Sequence, residues 1–403
     1  MPQPTLHWLE ADTPCQALWR CERGTAPARR VLLADDTLPA DAAYRLASEG
    51  TALLWRGDFQ NARHLLQALA RRADRAGAHR RRKQPAPDAA PDAAPALAFH
   101  LHRQAQAQRA RLLAAVLLPL QADYSIPLRR APDLRLACTE AWGAAPAGGA
   151  GGTASVVSLR ELLGIVSAHE WRKKGVAVAA LGPPPANRIH PHYGVFSPVR
   201  GEYVQLVAEA PLPAAALATP TAFDVGTGTG VLAAVLARRG LQVVATDMDS
   251  RALACAADNI TRLGLGGQVQ VLAADLFAPG RAALVVCNPP WLPARPGSAL
   301  ERAVYDEDSG MLRGFLQGLA AHLVPGGEGW LILSDLAEHL GLRSRATLLQ
   351  ALQDNGLQVL GRIDTRPQHA KAFDVADPLH AARAAELTSL WRLAPAPQPA
   401  PGP

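Results

Sequence analysis

The feature that most constrains the fold is a glycine-rich turn between a short apolar run and a helix-forming segment. Residues 221–225 are mainly apolar, and residues 231–237 are strong helix formers. Gly226, Gly228 and Gly230 alternate between them, and the missing Cβ atoms let the backbone approach a ligand closely. A helix that begins behind such a turn presents unpaired N–H groups to that ligand. The pattern predicts a strand, turn and helix at the ligand-binding edge of an α/β sheet.

An acidic residue stands about twenty positions beyond this turn, after a second apolar run. Asp247 follows residues 243–245 and has the spacing of the acid that binds ribose hydroxyls in nucleotide-binding folds. The glycines follow the spacing Gly-x-Gly-x-Gly, which lacks the extra residue of the dinucleotide fingerprint. The turn therefore argues against NAD and for a ligand without a pyrophosphate. A tight turn that binds nothing is the alternative.

The second informative motif is Asn288-Pro289-Pro290-Trp291, which follows the continuous apolar run 283–287. Such a run is typical of a buried parallel strand, and open α/β sheets bind ligands at the carboxyl ends of these strands. The prolines stiffen the turn, so that the Asn288 amide and a proline carbonyl point toward one position. Both groups accept hydrogen bonds from a planar –NH2 group, and Trp291 stacks on its flat face. An ordinary turn at a strand end is the alternative.

With these two motifs in this order, residues 194–392 resemble the class I S-adenosylmethionine (SAM)-dependent N-methyltransferases that carry an Asn-Pro-Pro-aromatic motif. The likeness is greatest to HemK/PrmC-type protein-glutamine methyltransferases and to small-domain methyltransferases of RNA or DNA bases. It includes the Pro/Glu segment 195–202 and the Pro-Gly-Gly turn 325–327. The chain departs from the family in two respects. Trp291 replaces the more usual Tyr or Phe, and residues 1–180 do not resemble the helical recognition domain of bacterial release-factor methyltransferases.

The resemblance implies SAM as the cofactor and assigns roles to individual residues. Asp275 is expected to hold the adenine amino group, with Leu276 or Phe277 against the adenine ring. Asp224 either lies near the methionine end of the cofactor or orients the glycine loop, and Asp249 is expected to cap the following helix. The predicted cofactor-binding residues are Asp224, Gly226, Thr227, Gly228, Gly230, Asp247, Asp275, Leu276 and Asn288. The predicted catalytic residues are Asn288, Pro289, Pro290 and Trp291.

The fold class follows from apolar runs that alternate with helical segments in the second half of the chain. The runs lie at residues 222–225, 242–246, 269–273, 283–288, 329–334, 357–364 and 387–393. This alternation predicts an α/β fold with a parallel sheet and right-handed crossovers. The resemblance implies a seven-stranded, Rossmann-like methyltransferase sheet that is mostly parallel, with an antiparallel last strand.

The length of 403 residues predicts two domains. Residues 1–180 are predicted to form a separate N-terminal α/β module with an accessory or substrate-recognition role, and residues 188–394 the methyltransferase domain. Segments 84–96 and 143–154 are rich in Pro, Ala or Gly and are predicted to be flexible. Residues 395–403 are predicted to form a disordered tail.

Within the N-terminal module, five segments have patterns that predict secondary structure: strands at 29–33 and 53–56, and helices at 59–73, 97–118 and 158–174. The second helix is predicted to bury Val116 and Leu117. A basic string at 71–83 is open to two interpretations, an RNA-contacting patch or a solvated helix end that leads into a linker. The second is favoured because no Phe or Tyr lies among the charges to stack on bases.

Composition narrows the class of protein further. Lys and Arg number 41 against 35 Asp and Glu, but only four are lysines, so the basic balance is weak evidence for a nucleic-acid partner. The five cysteines are odd in number and unclustered, which indicates neither a disulfide framework nor a zinc site. His190 and His192 flank a proline without nearby ligands, so no metal site is predicted. The absence of a signal sequence and of a roughly twenty-residue apolar run predicts a cytoplasmic protein that does not enter membranes.

The predicted function is transfer of a methyl group from SAM to a planar nitrogen. The leading acceptor is a glutamine side-chain amide of a protein, such as a translation factor or ribosomal protein, and an exocyclic amine of RNA or DNA is the alternative. A SAM-binding module without activity is disfavoured by the intact Asn288 and its two prolines. The acidic cluster at 301–308 either attracts a basic protein substrate or is a solvated loop, and it disfavours a bare nucleic acid.

Overall fold

The structure is a computed structural model that describes residues 4–83, 94–145, 154–199, 201–298, 300–368 and 374–397. It divides into two compact units, Met1–Glu170 and Trp171–Pro403. The division lies earlier in the chain than the predicted boundary between residues 180 and 188. Most of the segments predicted to be flexible, and most of the predicted tail, lie outside the described residues. The described parts include residues 94–96, which begin a helix, and Pro395, which ends a strand.

The first unit contains a six-stranded mixed sheet. Its elements are β1 (Thr5–Glu10), β2 (Thr13–Arg20), β3 (Arg30–Ala34), α1 (Ala40–Ser48), β4 (Thr51–Trp55), α2 (Phe59–Lys83), α3 (Ala94–Leu113), β5 (Val116–Leu120), α4 (Arg135–Trp142), β6 (Ser155–Ser158) and α5 (Leu159–Lys174), the last of which continues into the second unit. The strand order is β1-β2-β6-β5-β4-β3. β3, β4 and β5 are parallel neighbours, whereas β1 and β2 form an antiparallel hairpin.

The helix predicted over residues 97–118 is wrong at its C-terminal end. Helix α3 ends at Leu113, and Val116 and Leu117 lie in β5, where both are buried. β5 pairs with β4 on one side and β6 on the other. A short apolar run of this kind fits a buried strand and a buried helix equally well. Its pairing with β4 and β6 makes it a strand. The β1–β2 hairpin has no counterpart among the predicted elements.

The second unit contains a seven-stranded sheet with helices on both faces. Its elements are β7 (Val176–Ala177), β8 (Arg188–Ile189), α6 (Glu202–Glu209), α7 (Ala214–Ala218), β9 (Thr221–Val225), α8 (Val231–Arg238), β10 (Gln242–Asp247), α9 (Ser250–Arg262), β11 (Val269–Ala273), β12 (Ala282–Cys287), α10 (Gly310–Leu319), β13 (Leu323–Ser334), α11 (Leu336–His339), α12 (Arg345–Asp354), β14 (Leu357–Thr365), α13 (His380–Ala385) and β15 (Thr388–Pro395). β7 and β8 pair only with each other.

The order of strands in this sheet is β11-β10-β9-β12-β13-β15-β14. All neighbours are parallel except β15, which runs antiparallel to β13 and β14. Apolar residues of α6, α8 and α9 pack on one face, and those of α10 and α12 pack on the other. The predicted α/β class is confirmed. Because β9 to β13 are parallel, their carboxyl ends share one edge of the sheet, named here the carboxyl edge.

Among the described residues, no helix combines the length and the apolar character that are needed to cross a bilayer.

Candidate active site

The two motifs found in the sequence lie side by side at the carboxyl edge. β9 and β12 are neighbouring strands, with Val225 opposite Cys287, so the glycine turn and Asn288 begin at the same level. β10 lies on the other side of β9 and ends at Asp247. The carboxyl ends of parallel strands are where open α/β sheets bind ligands. The strand order therefore brings the predicted cofactor-binding and catalytic residues to one edge.

The three glycines of the turn have left-handed backbone conformations, but their surroundings differ. A Cβ on Gly226 (φ +73°) would collide with the methyl group of Met311, and one on Gly230 (φ +79°) would lie 3.2 Å from the Cα of Ala256. Gly228 (φ +55°) has nothing within 4 Å of the position a Cβ would take. Two glycines thus permit close packing, whereas Gly228 faces open space that a ligand can enter.

Asp224, the last acid before the turn, is 1% exposed. Its Oδ2 accepts hydrogen bonds from the Thr227 hydroxyl (2.7 Å) and from the Ala233 backbone N–H (3.0 Å). Burial raises the pKa of this carboxyl to about 6, against the two hydrogen bonds, which lower the pKa. Its contacts tie the glycine turn to the first turn of α8. Of the two predicted roles, these contacts support the one in which Asp224 orients the glycine loop.

Asp247 connects the end of β10 to the same turn. Its Oδ2 accepts a hydrogen bond from the Gly228 N–H (3.0 Å), and its Oδ1 accepts one from the Asp249 N–H (2.9 Å). A carboxylate has about four acceptor positions, so the half-buried Asp247 keeps capacity for hydroxyl donors. Asp249 in turn accepts from the Arg251 N–H (2.8 Å) and caps α9, which confirms its predicted role.

The segment after β11 supplies the third predicted contact region. Asp275 is exposed there, and Leu276 has a left-handed conformation (φ +66°) with its carbonyl accepting a hydrogen bond from the Thr246 hydroxyl. The Phe277 ring stacks on His322, with centroids 4.2 Å apart. This stacking holds Phe277 against the end of α10. Leu276 also approaches α10, because its side chain would meet a Cβ placed on Gly314.

The Asn-Pro-Pro-Trp segment leaves β12 at the carboxyl edge. Pro289 is buried, while Asn288, Pro290 and Trp291 are half-buried. The indole N–H of Trp291 donates a hydrogen bond to Asn288 Oδ1, with an Nε1–Oδ1 distance of 2.9 Å. The sequence predicted only a stacking role for Trp291, so this hydrogen bond is an additional finding.

Two residues beside the site were not among those predicted from the sequence. Met311, at the start of α10, covers Gly226, and its backbone N–H donates to Asp306 Oδ2 (2.7 Å). The Asp306 N–H donates in turn to the carbonyl of Leu292 (3.0 Å), which follows the proline motif directly. The acidic segment is therefore anchored to Leu292, directly after the Asn-Pro-Pro-Trp motif. In the sequence, only the acidity of this segment drew attention to Asp306, and no pattern indicated Met311.

The segment that contains His190 and His192 is bound to α9. The Asn259 side chain accepts from the His190 N–H (2.7 Å) and donates to the Thr229 carbonyl (3.0 Å) in the glycine turn. His192 Nε2 lies 3.1 Å from Asp258 Oδ2. Within the described ranges, no group of three or more His, Cys, Asp or Glu residues is arranged to hold a metal ion. The contacts instead brace the glycine turn from the side of α9.

Residues 187–354 match the family described as methyltransferase small domain. The match lies within the second unit and includes both the glycine turn and the Asn-Pro-Pro-Trp motif. The predicted methyltransferase class is thus confirmed for the domain, and with it SAM as the cofactor.

Three curated relatives of the methyltransferase domain carry different names. A release factor glutamine methyltransferase of Cereibacter sphaeroides is 34% identical over 175 residues, which are 39% of this chain and 62% of that protein. A ribosomal protein L11 methyltransferase of Pelotomaculum thermopropionicum is 51% identical over 71 residues, 17% of this chain and 23% of that protein. A ribosomal RNA small subunit methyltransferase C of Alcanivorax borkumensis is 30% identical over 136 residues, 31% of this chain and 38% of that protein. The chain thus spans less than two thirds of the length of each.

The residues of the methyltransferase domain fit SAM at the predicted positions. Gly228 faces open space, as a close approach between backbone and ligand requires. Asp247 is an acceptor suited to ribose hydroxyls, and Asp275 is exposed at the end of the next strand. All three lie at or after the ends of strands at the carboxyl edge, the edge at which β12 leads into Asn288.

Proposed function

We propose that the methyltransferase domain transfers a methyl group from SAM to a planar nitrogen, and that the acceptor is a glutamine side-chain amide of a protein. The observation that carries this proposal is the adjacency of β9 and β12, which puts the glycine turn and Asn288 at the same level of one edge. Among the three relatives compared, the release factor glutamine methyltransferase matches over the longest segment, which supports a protein amide. The match to a ribosomal RNA methyltransferase supports RNA as the second candidate substrate, for which we propose an exocyclic base amine as the acceptor.

On the donor side, the chain binds and orients the cofactor. SAM, when bound, supplies an electrophilic methyl group on a positively charged sulfur. We assign Gly226, Thr227, Gly228 and Gly230, with Asp224 behind them, to the turn that faces the cofactor. Asp247 accepts hydrogen bonds from ribose hydroxyls, and Asp275 and Leu276 contact the adenine.

On the acceptor side, two carbonyl oxygens hold the nitrogen that receives the methyl group. Asn288 Oδ1 and the backbone carbonyl of Pro289 accept hydrogen bonds from the two N–H groups of the acceptor –NH2, which leaves its lone pair directed at the donor. Their partial negative charges stabilise the positive charge that develops on nitrogen during transfer. Fixing both reactants near contact removes much of the entropic part of the barrier. The methylated nitrogen then releases its extra proton to water.

The remaining assignments concern partners and domains. We assign residues 188–394 to catalysis and residues 1–180 to an accessory or substrate-recognition module. A protein partner of the translation apparatus is supported by the names of the relatives that modify a release factor and ribosomal protein L11. The exposed Glu307 and Asp308, close to Asn288 in the chain, favour a basic protein surface over bare nucleic acid.

The experiment that tests the proposal uses tritiated SAM and a cell extract made without the native protein. Purified full-length protein is added, and parallel samples are treated with protease or with nuclease. Label that disappears with protease supports the glutamine proposal, whereas label that survives protease and disappears with nuclease overturns it in favour of RNA or DNA. SAM binding without any label supports the inactive module.

A variant at Asn288 tests the assigned role of the amide. Asn288→Ala is expected to bind SAM with an unchanged Kd in calorimetry and to lose at least about 100-fold in transfer rate, the range found for removal of one transition-state hydrogen-bonding group. A rate equal to that of the wild type would refute the role of Asn288. Loss of SAM binding in this variant would instead support the other predicted role of Asn288, as a cofactor-binding residue.

A further inference from the structure

The Asn288 side chain has an unusual local environment. An Asn at a turn commonly accepts a hydrogen bond from the backbone N–H two residues later. Here that residue is Pro290, and the one before it is Pro289, and a proline has no N–H. The usual backbone donor for Asn288 Oδ1 is therefore missing. A primary amide without a fixed partner can rotate and exchange the positions of its oxygen and its –NH2 group.

The Trp291 indole supplies the donor that the prolines lack. Its Nε1 lies 2.9 Å from Asn288 Oδ1. An indole N–H donates and never accepts, so it pairs with the amide oxygen and disfavours the rotated amide, which would bring two donors together. The half-buried Trp291 ring packs against core residues on both faces of the sheet. Packing of the ring therefore fixes the direction in which the indole N–H points.

We propose that Trp291 is a positioning residue whose indole N–H fixes the Asn288 amide oxygen in the orientation that methyl transfer needs. This inference rests on the proposed function. Oδ1 has two lone pairs, of which one accepts the Trp291 hydrogen bond and the other accepts a hydrogen bond from an N–H of the acceptor –NH2 group. The ring stacks on the acceptor with its face while its edge orients Asn288, a pair of roles that Phe at this position cannot perform together.

The test compares two variants that each remove an indole hydrogen bond and keep an aromatic ring. Trp291→Phe is expected to lower the rate of methyl transfer about fivefold, the factor that corresponds to one neutral hydrogen bond, with the Kd for SAM unchanged. The matched control is Trp330→Phe. Trp330 donates to Glu328 Oε2 (3.1 Å) from the core of β13, and Glu328 keeps Arg392 as a partner (2.6 Å). This control is expected to lower Tm and to leave the rate of methyl transfer at 25 °C unchanged.

A spectroscopic measurement reads the hydrogen bond without any turnover. In a ¹H–¹⁵N spectrum of the full-length protein, the indole resonance of Trp291 is assigned as the one of eight that Trp291→Phe removes. It is expected to move upfield in Asn288→Ala, which removes the acceptor oxygen, while the Trp330 resonance stays in place. A static Trp291 resonance would overturn the inference.

The kinetic outcomes separate this inference from the function on which it rests. Kinetics are measured as tritium transfer from SAM into macromolecules of the cell extract. Transfer by Trp291→Phe at the wild-type rate overturns the positioning role and leaves the proposed function intact. No transfer by the wild type overturns the proposed function, and the inference with it. A fivefold loss in Trp291→Phe, with the control unaffected, supports both.

Discussion

Replacing Gly228 with alanine is expected to have two effects, a loss of stability from backbone strain and a loss of SAM affinity from the added methyl group. The residue has φ +55° and open space where a Cβ would be. An alanine in this left-handed conformation costs roughly 1–2 kcal/mol, which lowers Tm by about 2–8 °C in a domain of this size. The new methyl group also enters the space assigned to SAM. A poorly accommodated methyl group costs about 1–3 kcal/mol, which corresponds to a roughly 5- to 150-fold rise in the Kd for SAM.

Gly356 provides the matched control for this substitution. It has a similar conformation (φ +63°) and likewise nothing within 4 Å of a Cβ position. It precedes β14, which runs parallel to β13, and therefore lies at the sheet edge opposite the glycine turn. Gly356→Ala is expected to lower Tm by a similar amount and to leave the Kd for SAM unchanged.

Calorimetry with SAM and thermal unfolding are measured on both variants. Together they distinguish backbone strain from a methyl group that occupies the space assigned to SAM. Equal weakening of SAM binding in the two variants would show that strain alone explains the effect. Wild-type affinity in Gly228→Ala would refute the assignment of the glycine turn to the cofactor. A selective loss in Gly228→Ala supports it.

Two further substitutions test the acids of the site. Burial raises the Asp224 pKa from 3.8 to about 6. The stability this group contributes is thus present below about pH 4 and is lost, by roughly 3 kcal/mol, as pH rises through 6. Asp224→Asn still accepts from Thr227 and Ala233, so its Tm relative to wild type should increase between pH 4 and 7; a constant difference would contradict the raised pKa. Asp247→Ala should raise the Kd for SAM about tenfold or more, as loss of a charged acceptor predicts. Asp249→Ala should cost only about 1 kcal/mol of stability as a lost helix cap, and weakened SAM binding there would place Asp249 in the pocket.

The second unit was largely predictable because its signals are local. The run 283–287 contains only apolar residues and became a fully buried strand, and the glycines marked the turn where β9 ends. Asp249 was recognisable as a cap from its position before α9. Such features depend on a few consecutive residues, which is the range over which sequence patterns are informative.

The details that were not predicted depend on side-chain direction or on distant residues. Met311 covers Gly226 although the two are far apart in the chain, and no local pattern links them. The Trp291–Asn288 hydrogen bond requires one particular orientation of both side chains, which the motif alone leaves open. The strand β5 was mistaken for helix because its partners β4 and β6 lie in other parts of the sequence.

The position of β9 between β10 and β12 has a consequence for the order of folding. β9 reaches β10 through the single helix α8, whereas β12 joins it only after β10, α9 and β11 have been placed. Closing the longer connection costs more chain entropy, so the pairing of β9 with β12 is expected to form late. Until that pairing forms, Asn288 does not lie beside the glycine turn. Catalytic competence would arise only with the last pairing of the central strands, and a molecule bound across both strand tips would stabilise that final state by mass action.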